Sequence, residues 1–241
     1  SNHRFTYESA QDCIDNKAGV FVEELSFLNK TAKLLKNNRI CNGSINFESS
    51  DLKFLLDKNN VPIALSQKIY LQTNSLIEEF MLLANKTVAK YINENYAFSS
   101  LYRVHDKPDI DKLSILSKIA KQFDYNYSFK LGDSLPKTLN SFLNETLESG
   151  EKNLFQNLVA SSMAKAKYTT KNIGHFGLAF SYYSHFTSPI RRYPDLLVHR
   201  ILKFILNIGS FSSLDLEGLC KHCSETERTA SLAERASFKY M

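Results

Sequence analysis

The segment from Ser75 to about Asn95 carries the clearest helical pattern of the chain and constrains its fold more than any other stretch. Apolar residues recur in it three and four positions apart, so they line one face of a helix. The members of this stripe are Ile77, Phe80, Met81, Ala84, Val88, Tyr91 and Ile92. Ser75 followed by Glu78 has the form of a capping box, which predicts that the helix begins at Ser75. Glu79 and Asn85 have no structural explanation in this pattern.

The remaining elements are predicted from the same periodicities. Helical spacing predicts helices at Thr6 to Ile14, Val20 to Lys36, Asp109 to Phe123, Leu135 to Leu147, Lys152 to Lys165 and Leu214 to Tyr240. Short, turn-bounded runs predict strands at Gly43 to Phe47, Leu52 to Leu56, Ile63 to Tyr70 and Leu178 to Tyr183, with a hairpin turn at Asp57 to Pro62. We therefore predict an α+β fold in which helices pack around a small, mainly antiparallel sheet, with no domain boundary.

Composition limits the class of protein. With 241 residues, 43% hydrophobic and 23% charged, the chain is typical of a folded globular protein and not of a disordered one. A formal net charge of +5 favours anionic partners. The sequence has no apolar run long enough to span a membrane and no apolar signal-peptide region at its start, so we expect a cytoplasmic location and no membrane partner.

The four cysteines, at positions 13, 41, 220 and 223, are too scattered to indicate a disulfide framework. Cys220 and Cys223 form a C-x-x-C pattern with His222 inside it, but no second close pair completes a tetrahedral zinc site. Two thiols that share one helix face explain this spacing. A metal-binding or redox pair is the alternative that the sequence leaves open.

The stretch from Lys152 to Pro194 contains no Asp or Glu, although about one residue in ten of the chain is acidic. It carries six cations and eight aromatic residues. Lys and Arg pair with phosphates while unstacked bases lie on aromatic rings, so this composition is typical of a surface that binds single-stranded nucleic acid. An ordinary solvated face beside a core gives the same composition and stays open as the alternative.

The end of this stretch predicts the start of a helix. Thr187 or Ser188 has the side chain of an N-cap, and Pro189 suits the first helical position. Arg191 and Arg192 would then lie within a turn of exposed backbone N–H groups at the positive end of the helix. Such a helix end is a site for a phosphate.

Downstream, helical spacing predicts a core-facing stripe. Its members are Ile190, Tyr193, Leu197, Ile201 and Phe204. Pro194 interrupts this pattern, so either the first turn is kinked or the main helix begins again at Pro194.

Six motifs follow one another along the chain. The longest is HFTSPIRRYPDLLVHR at 185–200. The others are RFTY at 4–7, GSINF at 43–47, IEEFMLLAN at 77–85, YRVHDKP at 102–108 and AER at 233–235. In this order they resemble the RNB family, the exoribonucleases of the RNase II and RNase R type. The resemblance spans nearly the whole chain, and the motifs are most similar to those of bacterial RNase R.

The resemblance implies roles for residues in the first half of the chain, each with a structural alternative. It places Tyr7 at the end of an RNA channel, whereas a partly buried first-turn aromatic is the alternative. It stacks Phe47 on a base near the RNA 3′ end, whereas a core-facing strand residue is the alternative. Glu78 and Glu79 would lie near the active site, whereas a capping residue and a solvated residue are the alternatives.

The resemblance also implies roles further along. Arg103 and His105 would form a wall of the RNA path, and a capped loop in which Asp106 contacts His105 is the alternative. The other residues implied to bind RNA are His185, Thr187, Ser188 and Glu234. We expect Arg191 to be catalytic, holding a phosphate near the scissile bond and neutralising charge in the transition state. Arg192, also assigned to catalysis, would brace the site or a neighbouring phosphate.

Hydrolysis of RNA by this family implies two divalent metal ions, here Mg²⁺, held by clustered carboxylates. The family carries these in an aspartate-rich D-x-D-D motif upstream of the region that this chain matches. No such cluster occurs in the sequence, and the nearest pairs, Asp12 with Asp15 and Asp109 with Asp111, match family positions that are not ligands. We therefore expect residues 1–241 to be the C-terminal part of an RNB catalytic domain, without metal ligands and inactive by itself.

Three functions remain as hypotheses. The first is part of a processive 3′→5′ exoribonuclease that releases nucleoside 5′-monophosphates, with this chain supplying the RNA channel and the phosphate-binding arginines. The second is an RNA-binding module, derived from the RNB domain, that has lost catalysis. The third is a helical scaffold for protein contacts, which predicts no RNA affinity. The sequence favours single-stranded RNA as the partner and identifies no protein partner.

Overall fold

The structure is a computed structural model that describes residues 3–47, 52–59, 61–67, 69–96, 100–210 and 215–240, without the side chains of 52, 53 and 67. The helices are α1 (Tyr7–Asn16), α2 (Val22–Cys41), α3 (Gln72–Asn95), α4 (Ile110–Gln122), α5 (Leu135–Glu145), α6 (Lys152–Ser162), α7 (Tyr193–Ile205) and α8 (Leu216–Tyr240). The strands are β1 (Leu52–Leu56), β2 (Pro62–Gln67), β3 (Tyr102–Val104) and β4 (Lys167–Thr169). Antiparallel pairs β1–β2 and β3–β4 form two small sheets. The predicted α+β fold, rich in helices with little sheet, is confirmed.

The chain divides into two compact units. The first consists of Ser1–Asn38, Glu48–Leu83 and Ala230–Met241, and the second of Arg39–Phe47 and Ala84–Thr229. Each unit combines segments that are distant in sequence, so no change of composition along the chain marks their limits.

In the first unit, α1 begins where the sequence predicts. Thr6 Oγ1 accepts a hydrogen bond from the Ser9 backbone N–H at 3.1 Å, and Ser9 Oγ accepts one from the Thr6 N–H at 2.9 Å. This reciprocal pair is a capping box with Ser at the third helical position. The first turn of α3 lies against α1, because Thr73 Oγ1 donates to the Tyr7 carbonyl at 2.9 Å and the Thr73 N–H donates to Gln11 Oε1 at 3.2 Å.

The predicted hairpin between β1 and β2 is confirmed. Asp57 Oδ1 accepts hydrogen bonds from the backbone N–H groups of Asn59 and Val61, each at 2.8 Å, and the Asp57 N–H donates to the Val61 carbonyl at 2.9 Å. An aspartate that binds its own turn in this way stabilises the reversal of the chain. The ring of Phe54 in β1 packs on that of Phe238 in α8, with centroids 4.6 Å apart.

The predicted start of α3 at Ser75 is wrong, because the helix begins at Gln72. Asn74 Oδ1 accepts the Leu71 N–H at 3.0 Å, and the Glu78 carboxylate accepts a hydrogen bond from the Tyr70 hydroxyl instead of a capping contact. The contacts of Thr73 with α1 favour this earlier start. They join residues that are more than 60 positions apart, so the local sequence pattern could not predict them.

The second unit has two hydrophobic cores. The first core joins α4, α5 and α6 through buried residues that include Leu113, Leu116, Leu139, Phe142, Phe155 and Val159. The second joins α3, α7 and α8 and includes Ile92, Leu101, Leu197, Val198, Ile201 and Cys220. Asp109 caps α4 by accepting the N–H groups of Asp111 and Lys112 at 2.9 and 3.1 Å, so the predicted start of this helix is confirmed.

The two cysteines of the C-x-x-C pattern share one face of α8. Cys220 is fully buried in the second core and Cys223 packs against that core. Burial raises the pKa of the Cys220 thiol to about 12, which keeps it protonated and unreactive near neutral pH. This agrees with two thiols that pack together. Among the described residues, no helix is both long and apolar enough to cross a membrane.

Two predicted strands are wrong. The segment from Gly43 to Phe47 is not a strand, because its backbone donors find unrelated partners. The Ile45 N–H donates to the Gly177 carbonyl and the Asn46 N–H to Asn140 Oδ1, each at 3.0 Å. The segment from Leu178 to Tyr183 contains the end of a 3₁₀ turn, Phe176–Leu178, followed by a left-handed residue, so it does not pair as a strand.

Candidate active site

The chain from Tyr183 to Arg192 is an irregular loop that is tied to the second unit by its own backbone and side chains. The Tyr183 carbonyl accepts the N–H of Arg103 at 2.9 Å, and Ser184 Oγ donates to the Leu101 carbonyl at 2.7 Å. Tyr183 and Ser184 are buried. A loop can be buried only where its polar groups find partners, and these contacts supply partners for this part of the loop.

Asn85, which is buried on α3, holds the next part of the loop. Its Oδ1 accepts the backbone N–H groups of Phe186 at 2.9 Å and Thr187 at 3.2 Å. Its Nδ2 donates to the Tyr183 hydroxyl at 3.3 Å. One amide side chain therefore fixes two consecutive residues of the loop, which explains an asparagine that the helical pattern left without a role.

The loop ends in a turn that is closed by Ser188. Its carbonyl accepts the backbone N–H groups of Arg191 at 3.3 Å and Arg192 at 3.1 Å. Its N–H donates to the carboxylate of Asp195 at 2.8 Å. Both backbone groups of Ser188 are thus engaged inside the protein.

The predicted start of α7 at Thr187 or Ser188 is wrong, because the helix begins at Tyr193 with Arg192 as the N-cap. Ser188 caps a turn rather than a helix, and Pro194 lies in the first helical turn. Of the two alternatives raised by Pro194, a helix that begins beside it agrees with the structure. Arg192 is the N-cap of α7 and Arg191 precedes it, so both arginines lie at the positive end of the helix.

The predicted core-facing stripe is partly wrong for the same reason. Ile190 is fully exposed, because it lies in the turn that precedes α7, and Tyr193, the first residue of α7, is 44% exposed. Leu197 and Ile201 are fully buried, as predicted, and Phe204 is 39% exposed.

The two arginines have different surroundings. The Arg192 guanidinium donates to Asp195 Oδ1 at 2.8 Å, and its side chain is 22% exposed whereas that of Asp195 is fully buried. Arg191 is exposed, and its side chain has no hydrogen bond or ion pair within the described residues. Arg191 therefore presents a cation with five free N–H donors beside the helix N-terminus, an arrangement that suits a phosphate.

A cluster of aromatic and ionisable side chains lies beside this turn. Tyr168 is buried, and its hydroxyl lies 2.8 Å from Nδ1 of His185. The Arg103 guanidinium lies over the Tyr168 ring at 4.5 Å and pairs with both oxygens of Glu227, at 2.6 and 3.0 Å. Burial raises the pKa of Tyr168, so its hydroxyl stays protonated. Arg103, which the family motifs predicted to line the RNA path, thus pairs its charge with Glu227.

The histidines of the cluster are neutral at physiological pH. Burial, reinforced by the charge of Arg192, lowers the pKa of His185 to about 3. Burial, reinforced by His105, lowers the pKa of His175 to about 3. His105 uses both ring nitrogens, since Nε2 lies 2.7 Å from the Ala164 carbonyl and Nδ1 accepts the Gly177 N–H at 2.9 Å. The contact that the sequence suggested between His105 and Asp106 is replaced by these backbone contacts.

The remaining predicted site residues lie elsewhere in the chain. In the first unit, Tyr7 is 45% exposed at the start of α1, Glu78 is exposed and Glu234 is exposed on α8. Glu79 is buried, so the alternative of a solvated residue is wrong. In the second unit, Phe47 is 40% exposed, so the alternative of a core-facing residue is wrong.

Thr187, another predicted site residue, lies on the same loop from Tyr183 to Arg192. Its Oγ1 is buried without a hydrogen-bond partner in the part of the chain that the structure describes. A buried hydroxyl of this kind is rare in proteins and is often found at functional sites.

Sequence reasoning missed two residues that build the site. Asp195 contacts Arg192, and Tyr168 contacts His185. Arg192 and His185 were predicted site residues, but Asp195 and Tyr168 were not. Asp195 had a signal in the sequence, since it is the acid that ends the acid-free stretch and falls in the first turn if the helix begins again at Pro194. Tyr168 had no such signal, because its contact with His185 depends on the fold.

The residues that the structure describes contain no group of three or more His, Cys, Asp or Glu that could hold a metal ion. They therefore do not fit the Mg²⁺ site that the sequence motifs imply, and the donor set needed for two hard cations is not assembled by them.

Comparison with known proteins identifies the family. Residues 1–208 match the RNB domain. This chain belongs to the RNB family. Ribonuclease R from Aquifex aeolicus (strain VF5) is 35% identical over 251 residues, which cover all of this chain and 35% of that protein. The chain thus spans about a third of the length of this curated relative, and the resemblance inferred from the RNB motifs is confirmed.

Two solved structures have the same fold. Mycoplasma genitalium RNase R in complex with ribose methylated single-stranded RNA is 26% identical with a TM-score of 0.89, covering 98% of this chain and 39% of that one. Mycoplasma genitalium RNase R in complex with double-stranded RNA is 25% identical with a TM-score of 0.87, covering 98% of this chain and 44% of that one. The RNB chain described here therefore has the architecture of part of RNase R.

Proposed function

We propose that this RNB chain is part of a processive 3′→5′ exoribonuclease that releases nucleoside 5′-monophosphates. The observation that carries the proposal is the exposed guanidinium of Arg191, which has no partner in the described structure and stands beside the N-terminus of α7. A planar cation at such a position binds a phosphate in two-pronged geometry. The match of the chain to the RNB domain supports phosphodiester hydrolysis as the reaction.

Arg191 holds the phosphate of the scissile bond and neutralises the charge that develops in the transition state. Arg192 braces the site, since its guanidinium is committed to Asp195. His185 and Thr187 lie on the same loop, and we propose that they line the RNA path as the family motifs imply. The loop is held by Asn85 and Asp195, so these donors do not need to reorganise when RNA binds.

Single-stranded RNA is the proposed partner. The support is the likeness to an RNase R that was solved with single-stranded RNA, together with the acid-free stretch that precedes Arg191. Tyr7, Phe47, Glu78, Glu79 and Glu234 are proposed to contact this RNA as the family motifs imply. We propose no protein partner. A cytoplasmic location stays a prediction.

Mg²⁺ is the proposed cofactor, and it would supply the hydrolytic water and stabilise the leaving oxygen. The described residues do not form its site, so we propose that its carboxylate ligands lie outside this chain. All of residues 1–241 would then form the C-terminal part of one RNB catalytic domain. By itself the chain would bind RNA without cleaving it.

The proposal is tested with the full-length protein that contains this chain and a 5′-labelled single-stranded RNA. We expect shortening from the 3′ end and release of nucleoside 5′-monophosphates in the presence of Mg²⁺. RNA binding without any cleavage would instead support a module that has lost catalysis. No RNA binding at all would support a scaffold for protein contacts.

The affinity for RNA provides a second readout. If the acid-free stretch follows a phosphate backbone, the logarithm of the binding constant falls with the logarithm of salt concentration by roughly 0.7 per phosphate neutralised. Affinity that is independent of salt would contradict binding through phosphates. The isolated chain serves as the control for cleavage, and nucleotide release by it would contradict the proposed location of the metal ligands.

A further inference from the structure

Asp195 is a fully buried carboxylate in the first turn of α7. Its Oδ1 accepts two hydrogen bonds, one from the Ser188 backbone N–H and one from the Arg192 guanidinium, each at 2.8 Å. The Ser188 carbonyl in turn accepts the backbone N–H groups of Arg191 and Arg192. A single carboxylate oxygen thus joins the beginning of the 188–192 turn to its end.

Because Asp195 is buried, its carboxylate needs these hydrogen-bond partners. A buried carboxylate is stable as an anion only where cations and N–H donors compensate its charge. Here they are Arg192, the Ser188 N–H and the N-terminal end of α7. Asp195 Oδ2 and Arg192 Nε are buried without a hydrogen-bond partner in the described part of the chain, so the shared Oδ1 contact carries the whole junction.

The junction separates the two neighbouring arginines. Arg192 forms an ion pair with the buried Asp195, and only 22% of its side chain is exposed. Arg191 belongs to the same turn, does not contact Asp195 and stays exposed. The backbone that carries Arg191 is therefore fixed by an acid that its own side chain does not touch.

We infer that Asp195 is a positioning residue, which rests on the function proposed above for Arg191. It holds the 188–192 turn in one conformation, so that the Arg191 guanidinium faces an RNA phosphate before RNA arrives. A donor that is already oriented loses no free energy to reorganisation as charge develops in the transition state. Loss of Asp195 would let Arg191 sample other orientations while its charge remains.

The decisive substitution is Asp195→Asn in the full-length protein. Asparagine has the same shape and retains an oxygen for the Ser188 N–H, but its amide group cannot pair with the Arg192 guanidinium as an anion does. We expect turnover at saturating RNA to fall roughly tenfold to a hundredfold, with a smaller change in KM. Asp215→Asn is the matched control, because Asp215 is an exposed acid that caps α8 through the Gly218 N–H at 2.9 Å.

A double substitution distinguishes positioning from a purely structural role. If Asp195 acts through Arg191, then Asp195→Asn adds little to the loss of turnover already caused by Arg191→Lys, because both remove the same oriented donor. Independent losses that multiply would overturn the inference. So would a lower melting temperature with unchanged turnover, which is the result expected if Asp195 only stabilises the helix end.

The readouts also separate this inference from the proposed function. If the unsubstituted protein binds RNA but does not cleave it, the proposed nuclease activity fails and the same double substitution is scored on the dissociation constant for a single-stranded RNA. Weaker binding by Asp195→Asn that is not additive with Arg191→Lys supports the inference. Affinity that is unchanged in Asp195→Asn, although Arg191→Lys weakens binding, overturns it. Asp195→Ala is a second variant, expected to be less stable than Asp195→Asn since it leaves the Ser188 N–H unpaired.

Discussion

The side-chain oxygen of Asn85 lies 2.9 Å from the backbone nitrogen of Phe186, a residue far from it in the sequence, and this contact fixes the loop that carries the site. The same oxygen accepts the Thr187 N–H. Asn85 is buried in α3, so its hydrogen bonds anchor an irregular segment to a long helix. Sites supported by a regular element are held more accurately than sites on free loops.

Replacing Asn85 with Ala should destabilise the protein. Two backbone N–H groups lose their acceptor, and each unpaired buried donor costs about 1–3 kcal/mol. The free energy of unfolding, measured by urea denaturation, should fall by roughly 2–4 kcal/mol. Asn95→Ala is the control on the same helix, since Asn95 is exposed and donates to the Tyr91 carbonyl of its own helix at 2.8 Å. An equal loss in both variants would show that the Asn85 contacts add no stability.

The two arginines should differ in their effect on stability. Arg192→Ala leaves the buried carboxylate of Asp195 without its cation, which should lower the free energy of unfolding by up to about 3 kcal/mol. Arg191→Ala removes an exposed side chain with no partner in the described structure, so its effect should stay within about 0.5 kcal/mol. Thermal or urea unfolding of both variants measures the difference. Equal stability in the two would contradict the assignment of Arg192 as the bracing residue.

Local patterns in the sequence predicted most of the helices. The N-caps of α1 and α4, Thr6 and Asp109, bind backbone N–H groups two or three residues later. A short stretch of sequence is therefore enough to predict where these helices begin. The start of α3 could not be predicted in this way, because Thr73 is held by contacts with α1. The same limit applies to the segment from Gly43 to Phe47, whose donors reach the distant residues Gly177 and Asn140.

The motifs placed Arg191, Arg192, His185 and Ser188 in one segment, but they did not reveal how that segment is held. Ser188 was predicted to cap a helix, whereas Asp195 captures its N–H and α7 starts later. The burial of Asp195, which accepts this N–H, depends on the fold and does not appear in the local sequence. The motifs also gave no reason to expect a contact between Glu227 and Arg103, because the two residues are 124 positions apart in the sequence.

Acid should destabilise the protein through its buried histidines. His175 and His185 have pKa values lowered from 6.5 to about 3 in the folded state. The unfolded chain binds their protons below about pH 6.5 and the folded protein does not, so the stability from the neutral rings is present above pH 6.5 and lost as the pH falls towards 3. At pH 5 the loss is about 2 kcal/mol for each ring.

His185→Asn isolates one of these contributions. Asparagine keeps an acceptor near the Tyr168 hydroxyl but does not titrate, so the variant should lose about 2 kcal/mol less than the unsubstituted protein between pH 7 and pH 5. The cations that lower the pKa of His185, besides its burial, are Arg192, Arg103 and Arg191, with His175 as a further neighbour. Urea unfolding at both pH values gives the comparison. The same pH dependence in both proteins would mean that His185 titrates normally when folded.

The most direct test of the account is the turnover number of the full-length protein carrying Arg191→Lys. Lysine keeps the charge but loses the planar fork that pairs with a phosphate in two-pronged geometry. Arg200→Lys makes the same change on the exposed part of α7 and serves as the control. With saturating RNA and Mg²⁺, we expect Arg191→Lys to lower turnover by about ten- to a thousandfold and Arg200→Lys to leave it unchanged. Normal turnover in Arg191→Lys, with only the apparent affinity for RNA reduced, would contradict a catalytic role for Arg191.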